Sequence, residues 1–133
     1  MRTTSYYDVA ENDRKYLECD LAAGRVGNLL CANVQNCCEK YLKHIISEFY
    51  DTDDAAMQNE KTMILRTHSF RKLLKFIRGT MSREINKDEI SLITKADGYY
   101  FSVRYPSDEY FETDDTDSEG CEEALRCWFF LRF

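Results

Sequence analysis

The segment from Gly27 to Phe49 constrains the fold more than any other part of this sequence. Its apolar residues recur at helical spacing and cover close to half of a helix circumference. They are Leu30, Val34, Cys37, Cys38, Tyr41, Leu42, Ile45, Ile46 and Phe49. A helix on the surface of a domain needs only a narrower stripe, so this pattern predicts a central helix that several neighbours cover.

The same periodicity extends over most of the chain and no strand alternation competes with it. It predicts further helices at about residues 6–23, 69–79, 87–104 and 118–133, with Thr67 or Ser69 capping the second of these. Polar flexible loops are predicted at about residues 50–66 and 106–118. We therefore expect an all-α fold, an antiparallel up-and-down bundle of about five helices in a single domain over residues 1–133.

Composition indicates a folded cytoplasmic protein that is not embedded in a membrane. No apolar run reaches the roughly 20 residues that span a bilayer, and Met1–Ala10 lacks the apolar core of a secretory signal. The six cysteines show no C-x-x-C unit, so we expect them to be reduced and mostly buried. Cys37 and His44 share one side of a helix without the remaining ligands of a zinc site, and we expect neither a metal nor a cofactor.

Charge divides the sequence into a basic middle and an acidic later segment. The net charge of −6 argues against a surface that coats nucleic acid indiscriminately. Between residues 66 and 87, however, a single acid, Glu84, accompanies seven bases: Arg66, Arg71, Lys72, Lys75, Arg78, Arg83 and Lys87. Arg71, Lys75 and Arg78 share one helix face, which is either simply solvated or binds phosphate or an acidic loop of this chain or a neighbour.

Pro106, the only proline, should end the preceding helix near Arg104 and hold that guanidinium in a fixed place. Arg104 then either clamps a carboxylate within the bundle or presents its planar fork to a phosphate. The stretch 127–133 is apolar on all sides, which fits either a homodimer interface or deep burial in the chain's own core.

Several charged residues lie where a helix packs. Asp13 and Asp20 fall on the apolar side of the first predicted helix, so each needs a partner. The possible partners are Lys40, Lys43, His44 and Arg104. Such a carboxylate is either one half of a structural ion pair or an acid that faces a ligand.

The polar arc of the central helix contains Glu39, Lys40 and Lys43, with Glu39 and Lys43 at the favourable i,i+4 spacing. One interpretation is a solvated face. The other is a polar groove that holds a phosphate or an acidic group between Lys43 and Arg104. His68 precedes a predicted helix, where it either bonds free backbone groups or acts as a general base.

Three blocks of sequence resemble the HEPN domain, a helical module named for higher eukaryotes and prokaryotes nucleotide-binding. They are Ala10 with Asp13, the run from Gln35 to Lys43 that is similar to Q-x-x-x-E-K-x-x-K, and the segment from Tyr99 to Arg104-Tyr105-Pro106. Thr67 and His68, followed by Phe70 and Leu73, also lie where the family has T-H-x-L before a helix, although Ser69 follows His68 where an aspartate is common. Asn33 stands where many members have a histidine, and Arg14 interrupts an apolar position. The resemblance covers about residues 6–130.

HEPN ribonucleases are recognised by an R-x4-6-H motif, and this sequence lacks it. The spacing would place the arginine at residues 37–39 before His44 or at residues 61–63 before His68, and none of those is arginine. The resemblance therefore implies a non-catalytic module that binds a nucleotide or RNA or a partner nucleotidyltransferase, in a toxin–antitoxin or stress and defence system. Its candidate ligand-binding residues are Asp13, Glu39, Lys40, Lys43, Tyr100, Arg104 and Tyr105.

Two alternatives remain. One is a divergent ribonuclease that uses His68 with Arg104 or Lys43. The other is a purely structural homodimerisation domain.

Overall fold

The computed structural model of the chain describes residues 5–24, 28–85, 87 and 90. Within these ranges the structure has four α-helices, a π-helical turn and no strand. The helices are α1 (Tyr6–Ala22), α2 (Asn28–Phe49), α3 (Ala55–Ile64) and α4 (Phe70–Lys75), and α4 continues into the π turn (Phe76–Thr80). The prediction of an all-α fold is confirmed. Of the predicted helix at 87–104, the structure describes Lys87 and Ile90. The rest of that helix and everything predicted beyond it lie outside the described residues.

Helix α1 has a defined signal at each end. The Ser5 hydroxyl accepts a hydrogen bond from the Asp8 backbone N–H at 3.1 Å, and the Asp8 carboxylate accepts one from the Ser5 N–H at 3.4 Å. This capping box satisfies two backbone donors that a helix start otherwise leaves free. After α1 the chain turns at Gly24, whose φ of +71° is a conformation that favours glycine.

Helix α2 is the centre of the fold, as its apolar arc predicts. Eight of the nine predicted arc residues are buried, and only Phe49, at 54% exposure, is not. Helix α2 runs back along α1, since Tyr7 packs against His44 while Ala10 lies against Cys37 farther along. Ala10 and Leu17 are the buried residues of α1, so the core forms where these two helices meet.

Helix α3 corrects the prediction of a loop over residues 50–66. The Asp54 side chain caps this helix by accepting from the Met57 N–H at 3.0 Å, and Lys61 donates to the backbone carbonyls of Ser47 and Tyr50. None of its residues is buried, so periodicity gave no signal for it. The helix depends instead on its cap and on good helix formers such as Ala55 and Ala56.

Helix α4 starts where the sequence predicts. The Ser69 hydroxyl accepts from the Lys72 N–H at 3.3 Å, which confirms Ser69 as the cap. Phe70, Leu73 and Leu74 are buried against the core, and Phe76 and Ile77 continue this face into the π turn. The π turn itself was not predicted, because a single inserted residue leaves the apolar spacing nearly unchanged.

Candidate functional site

An ion pair joins α1 to α2. The Lys40 ammonium lies 2.7 Å from the Asp13 carboxylate, and the two side chains are 28% and 34% exposed. Lys40 was one of the four partners expected for Asp13, so the structural ion pair is confirmed. Because the pair is partly solvated, it contributes modestly to stability.

A second network at this interface surrounds Glu11. The Tyr41 hydroxyl donates to Glu11 at 2.6 Å, and Arg14 contacts both Glu11 and Glu18 at 3.2 Å. Burial, followed by the hydrogen bond to Glu11, raises the pKa of Tyr41 well above its ordinary value. Arg14 therefore does not disturb the apolar face of α1, since its charge is neutralised in place. The i,i+3 and i,i+4 spacing of the acids around Arg14 was the sequence signal for this network.

The buried thiol of Cys37 is held by the same interface. Its Sγ donates to the carbonyl oxygen of Ala10 at 3.3 Å. Burial, with Asp13 as the next largest cause, raises the pKa of Cys37 to about 12. The thiolate is the reactive form of cysteine, so Cys37 is a structural residue at neutral pH.

We call Glu39, Lys43 and His68 the α2 polar cluster. The Lys43 ammonium lies 3.2 Å from the Glu39 carboxylate, and Nδ1 of His68 lies 3.2 Å from each of its oxygens. The side chains of Glu39 and Lys43 are only 9% and 8% exposed, so for these two residues of the arc the interpretation as a solvated face is wrong. His68, which lies just before α4, contacts Glu39 from outside α2, and a pattern within α2 alone could not show this contact.

His68 differs from the other members of the cluster because its side chain is 72% exposed. An ionised carboxylate only accepts hydrogen bonds, so Glu39 favours the tautomer with the proton on Nδ1. The remaining nitrogen, Nε2, lies on the other side of the ring and forms no contact with Glu39. This is the arrangement of a carboxylate-oriented histidine.

A second polar region, which we call the basic pocket, lies between α4 with its π turn and the chain that follows. Its cavity volume is about 1020 Å³. Among the residues that the structure describes, five cations and one acid, Glu84, line it. The cations are Arg71, Lys75, Arg78, Arg83 and Lys87. The predicted basic face of three residues is thus the helical side of a larger site.

A sharp turn after α4 brings the later cations to this pocket. The Met81 N–H donates to the Phe76 carbonyl and the Arg83 N–H donates to the Ile77 carbonyl, both at 3.1 Å. Ser82 sits between them with a φ of +52°, a conformation that non-glycine residues adopt at a cost. This turn folds Arg83 back toward the helix, and the sequence contained no signal for it.

The remaining predicted site residues, Tyr100, Arg104 and Tyr105, lie outside the described residues. In the part of the chain that the structure covers, no group of three or more His, Cys, Asp or Glu side chains is arranged to hold a metal ion. Over the same part, no helix is long and apolar enough to cross a membrane.

Comparison with known proteins gives one finding. The family model of the HEPN domain matches residues 4–128, nearly the whole chain. No curated protein and no solved structure matches.

Proposed function

We propose that this chain, which belongs to the HEPN domain family, is a non-catalytic module that binds the phosphate groups of a nucleotide or RNA in the basic pocket. The observation that carries the proposal is that five of the described residues around one cavity are cations and one is an acid. The family is associated with nucleotide and RNA binding and with ribonuclease activity. Phosphate is the ligand group that such a set of side chains recognises best.

The pocket cations are available to a ligand, which distinguishes them from the other charges of the bundle. Arg71, Lys75, Arg78 and Lys87 are exposed, and within the described ranges none of them forms an ion pair. An excess of like charges in one place raises the local potential and attracts anions. The chain as a whole carries a net charge of −6, which opposes indiscriminate binding of anions.

The candidates that the sequence suggested on α2 have a different position. Asp13 with Lys40 and Glu39 with Lys43 are ion-paired within the bundle, and we assign them to positioning the helices around the pocket. Tyr100, Arg104 and Tyr105 stay predictions as ligand-binding residues. Their aromatic and guanidinium groups are those that stack on bases and bind phosphates.

The family resemblance also bears on the oligomeric state and the partner of this chain. We propose a cytoplasmic homodimer that works with a separately encoded nucleotidyltransferase in a toxin–antitoxin or defence system, as the family resemblance implies. Light scattering of the purified chain tests the dimer, and co-purification with a nucleotidyltransferase encoded beside it tests the partner. A monomer that captures no such protein would contradict this extension and leave the phosphate site standing.

Binding to a fluorescently labelled single-stranded RNA tests the phosphate site. The double variant Lys75→Gln/Arg78→Gln should bind about tenfold more weakly and lower the slope of log K against log salt by about 1.4, since each phosphate contact contributes about 0.7. The matched control is Lys15→Gln/Lys72→Gln, which removes two exposed lysines that do not line the pocket. Equal losses in both double variants, or no RNA or nucleotide binding by the wild type, would contradict the proposal.

A second candidate function is a divergent ribonuclease, and the Glu39–His68 contact is the observation that favours it. In this mechanism Nε2 of His68 removes the proton from a ribose 2′-hydroxyl, and the 2′-oxygen attacks the adjacent phosphorus. The 5′-oxygen leaves and takes a proton from water. Incubation of structured RNA with the wild type, His68→Ala and Glu39→Gln tests this: RNA cleavage that both variants lower supports it, and cleavage that is absent or unchanged excludes it.

A further inference from the structure

Arg83 differs from the other cations of the basic pocket in how firmly it is held. It is half-buried, whereas Arg71, Lys75, Arg78 and Lys87 are exposed. Its backbone N–H donates to the Ile77 carbonyl at 3.1 Å, and its guanidinium carbon lies 5.6 Å from the centroid of the Phe49 ring. Both ends of this residue are therefore fixed, while it also lines the cavity.

Phe49 is unusual in its own right. It is the last residue of α2 and is 54% exposed, although the apolar arc predicted it to be in the core. The ring of His44 also meets the Phe49 ring edge-on at 5.8 Å with an interplanar angle of 75°, and Tyr7 packs on His44 at 5.0 Å. A row of rings from α1 thus fixes the Phe49 ring, and the cation at the end of that row is Arg83.

A guanidinium beside an aromatic ring is well suited to bind a phosphate. A cation over an aromatic face is attracted by the ring quadrupole. This attraction uses none of the hydrogen bonds of the guanidinium N–H groups, and their fork matches two oxygens of one phosphate. A side chain that is already ordered loses less entropy on binding than a mobile lysine.

We infer that Arg83 is the anchor of the basic pocket, binding one phosphate through two parallel hydrogen bonds, and that Phe49 is its positioning residue. The inference rests on the proposed phosphate-binding function. The exposed cations hold neighbouring phosphates through screened attraction, so the ligand carries more than one phosphate. An oligonucleotide and a nucleoside triphosphate both meet this condition.

Anisotropy of a labelled single-stranded RNA of about 12 nucleotides tests the anchor, with ATP and inorganic pyrophosphate as competitors to separate the two ligand sources. Arg83→Lys keeps the charge and removes the fork, and it should weaken binding about tenfold with little change in salt slope. Phe49→Leu should weaken binding about fivefold. Phe49→Trp should stay within about twofold of the wild type, because tryptophan is the best partner for a cation.

Tyr16→Leu is the matched control, since Tyr16 is an aromatic residue at 68% exposure on α1. It should bind as the wild type does, and melting temperatures of all variants show whether each is folded. If Arg83→Lys and Phe49→Leu bind like the wild type while Lys75→Gln/Arg78→Gln binds weakly, the anchor is wrong and the phosphate site stands. If the wild type binds none of the three probes, the phosphate site itself fails.

Discussion

The α2 polar cluster and the basic pocket hold their charges in opposite ways. Glu39 and Lys43 are almost fully buried and contact each other, whereas Arg71, Lys75, Arg78 and Lys87 are exposed on a cavity wall. Buried charges must be paired because desolvation is costly, while exposed like charges retain their hydration and attract an anion. The cluster should therefore control the stability of the bundle, and the pocket should control binding.

The largest effect is expected in the α2 polar cluster. Glu39→Ala leaves the Lys43 ammonium, at 8% side-chain exposure, without its carboxylate. We expect the free energy of unfolding to fall by about 3 kcal/mol, because the uncompensated charge stays buried. Urea unfolding measures this change.

The matched control for that variant removes both charges. Glu39→Leu/Lys43→Met should recover most of the lost stability, since apolar side chains of similar size avoid the desolvation cost. A loss below about 1 kcal/mol in Glu39→Ala alone would show that Lys43 reaches water easily, and the contrast between the two regions would weaken.

A smaller effect is expected at the α1–α2 interface. Tyr41→Phe removes the hydroxyl that donates to Glu11 at 2.6 Å in a fully buried residue. Hydrogen bonds to charged groups contribute about 1.5–3 kcal/mol, so the free energy of unfolding should fall by about 2 kcal/mol. Tyr16→Phe, on the exposed side of α1, should change it by less than about 0.5 kcal/mol. Equal effects in the two variants would show that the Glu11 network is not a stability determinant.

The fold was largely predictable from sequence because α1 and α2 bury regular apolar faces. The arc of α2 and the Ser69 cap of α4 depend on spacing and side-chain chemistry that act locally. Helix α3 was missed because it buries nothing. Burial of Glu39 and Lys43 was missed for a related reason. Whether a polar arc is exposed to water depends on the packing of segments that are distant in sequence.

The site was only half predictable. Helical spacing identified Arg71, Lys75 and Arg78 as one face, but the pocket also needs Arg83 and Lys87. Those two arrive through a π turn and a positive φ at Ser82. Neither feature has a composition or periodicity signal, since Ser82 adopts a conformation that serine seldom takes.

Alkaline pH should destabilise the bundle through Cys37, which lies at the α1–α2 interface. Its pKa is raised from 9.0 to about 12 by burial and then by Asp13. A raised pKa means that the folded state holds the proton more tightly, so the resulting stability is present below pH 9 and is lost as the pH rises toward 12. Between pH 7 and pH 10 the wild type should lose about 1 kcal/mol more than Cys37→Ala. Parallel stability curves for the two proteins would mean that the thiol is not protected.

The smallest effect on stability is expected in the basic pocket. Lys75 and Arg78 are exposed, and neutralising both to glutamine relieves repulsion among five cations while removing favourable charges from the end of α4. The two effects oppose each other, so the free energy of unfolding should change by less than about 0.5 kcal/mol. The same small change is expected in the control Lys15→Gln/Lys72→Gln. Urea unfolding of both double variants checks this. A loss of several kcal/mol in Lys75→Gln/Arg78→Gln alone would show that the pocket cations stabilise the bundle. The weaker RNA binding of that variant would then result from unfolding and not from a lost phosphate contact.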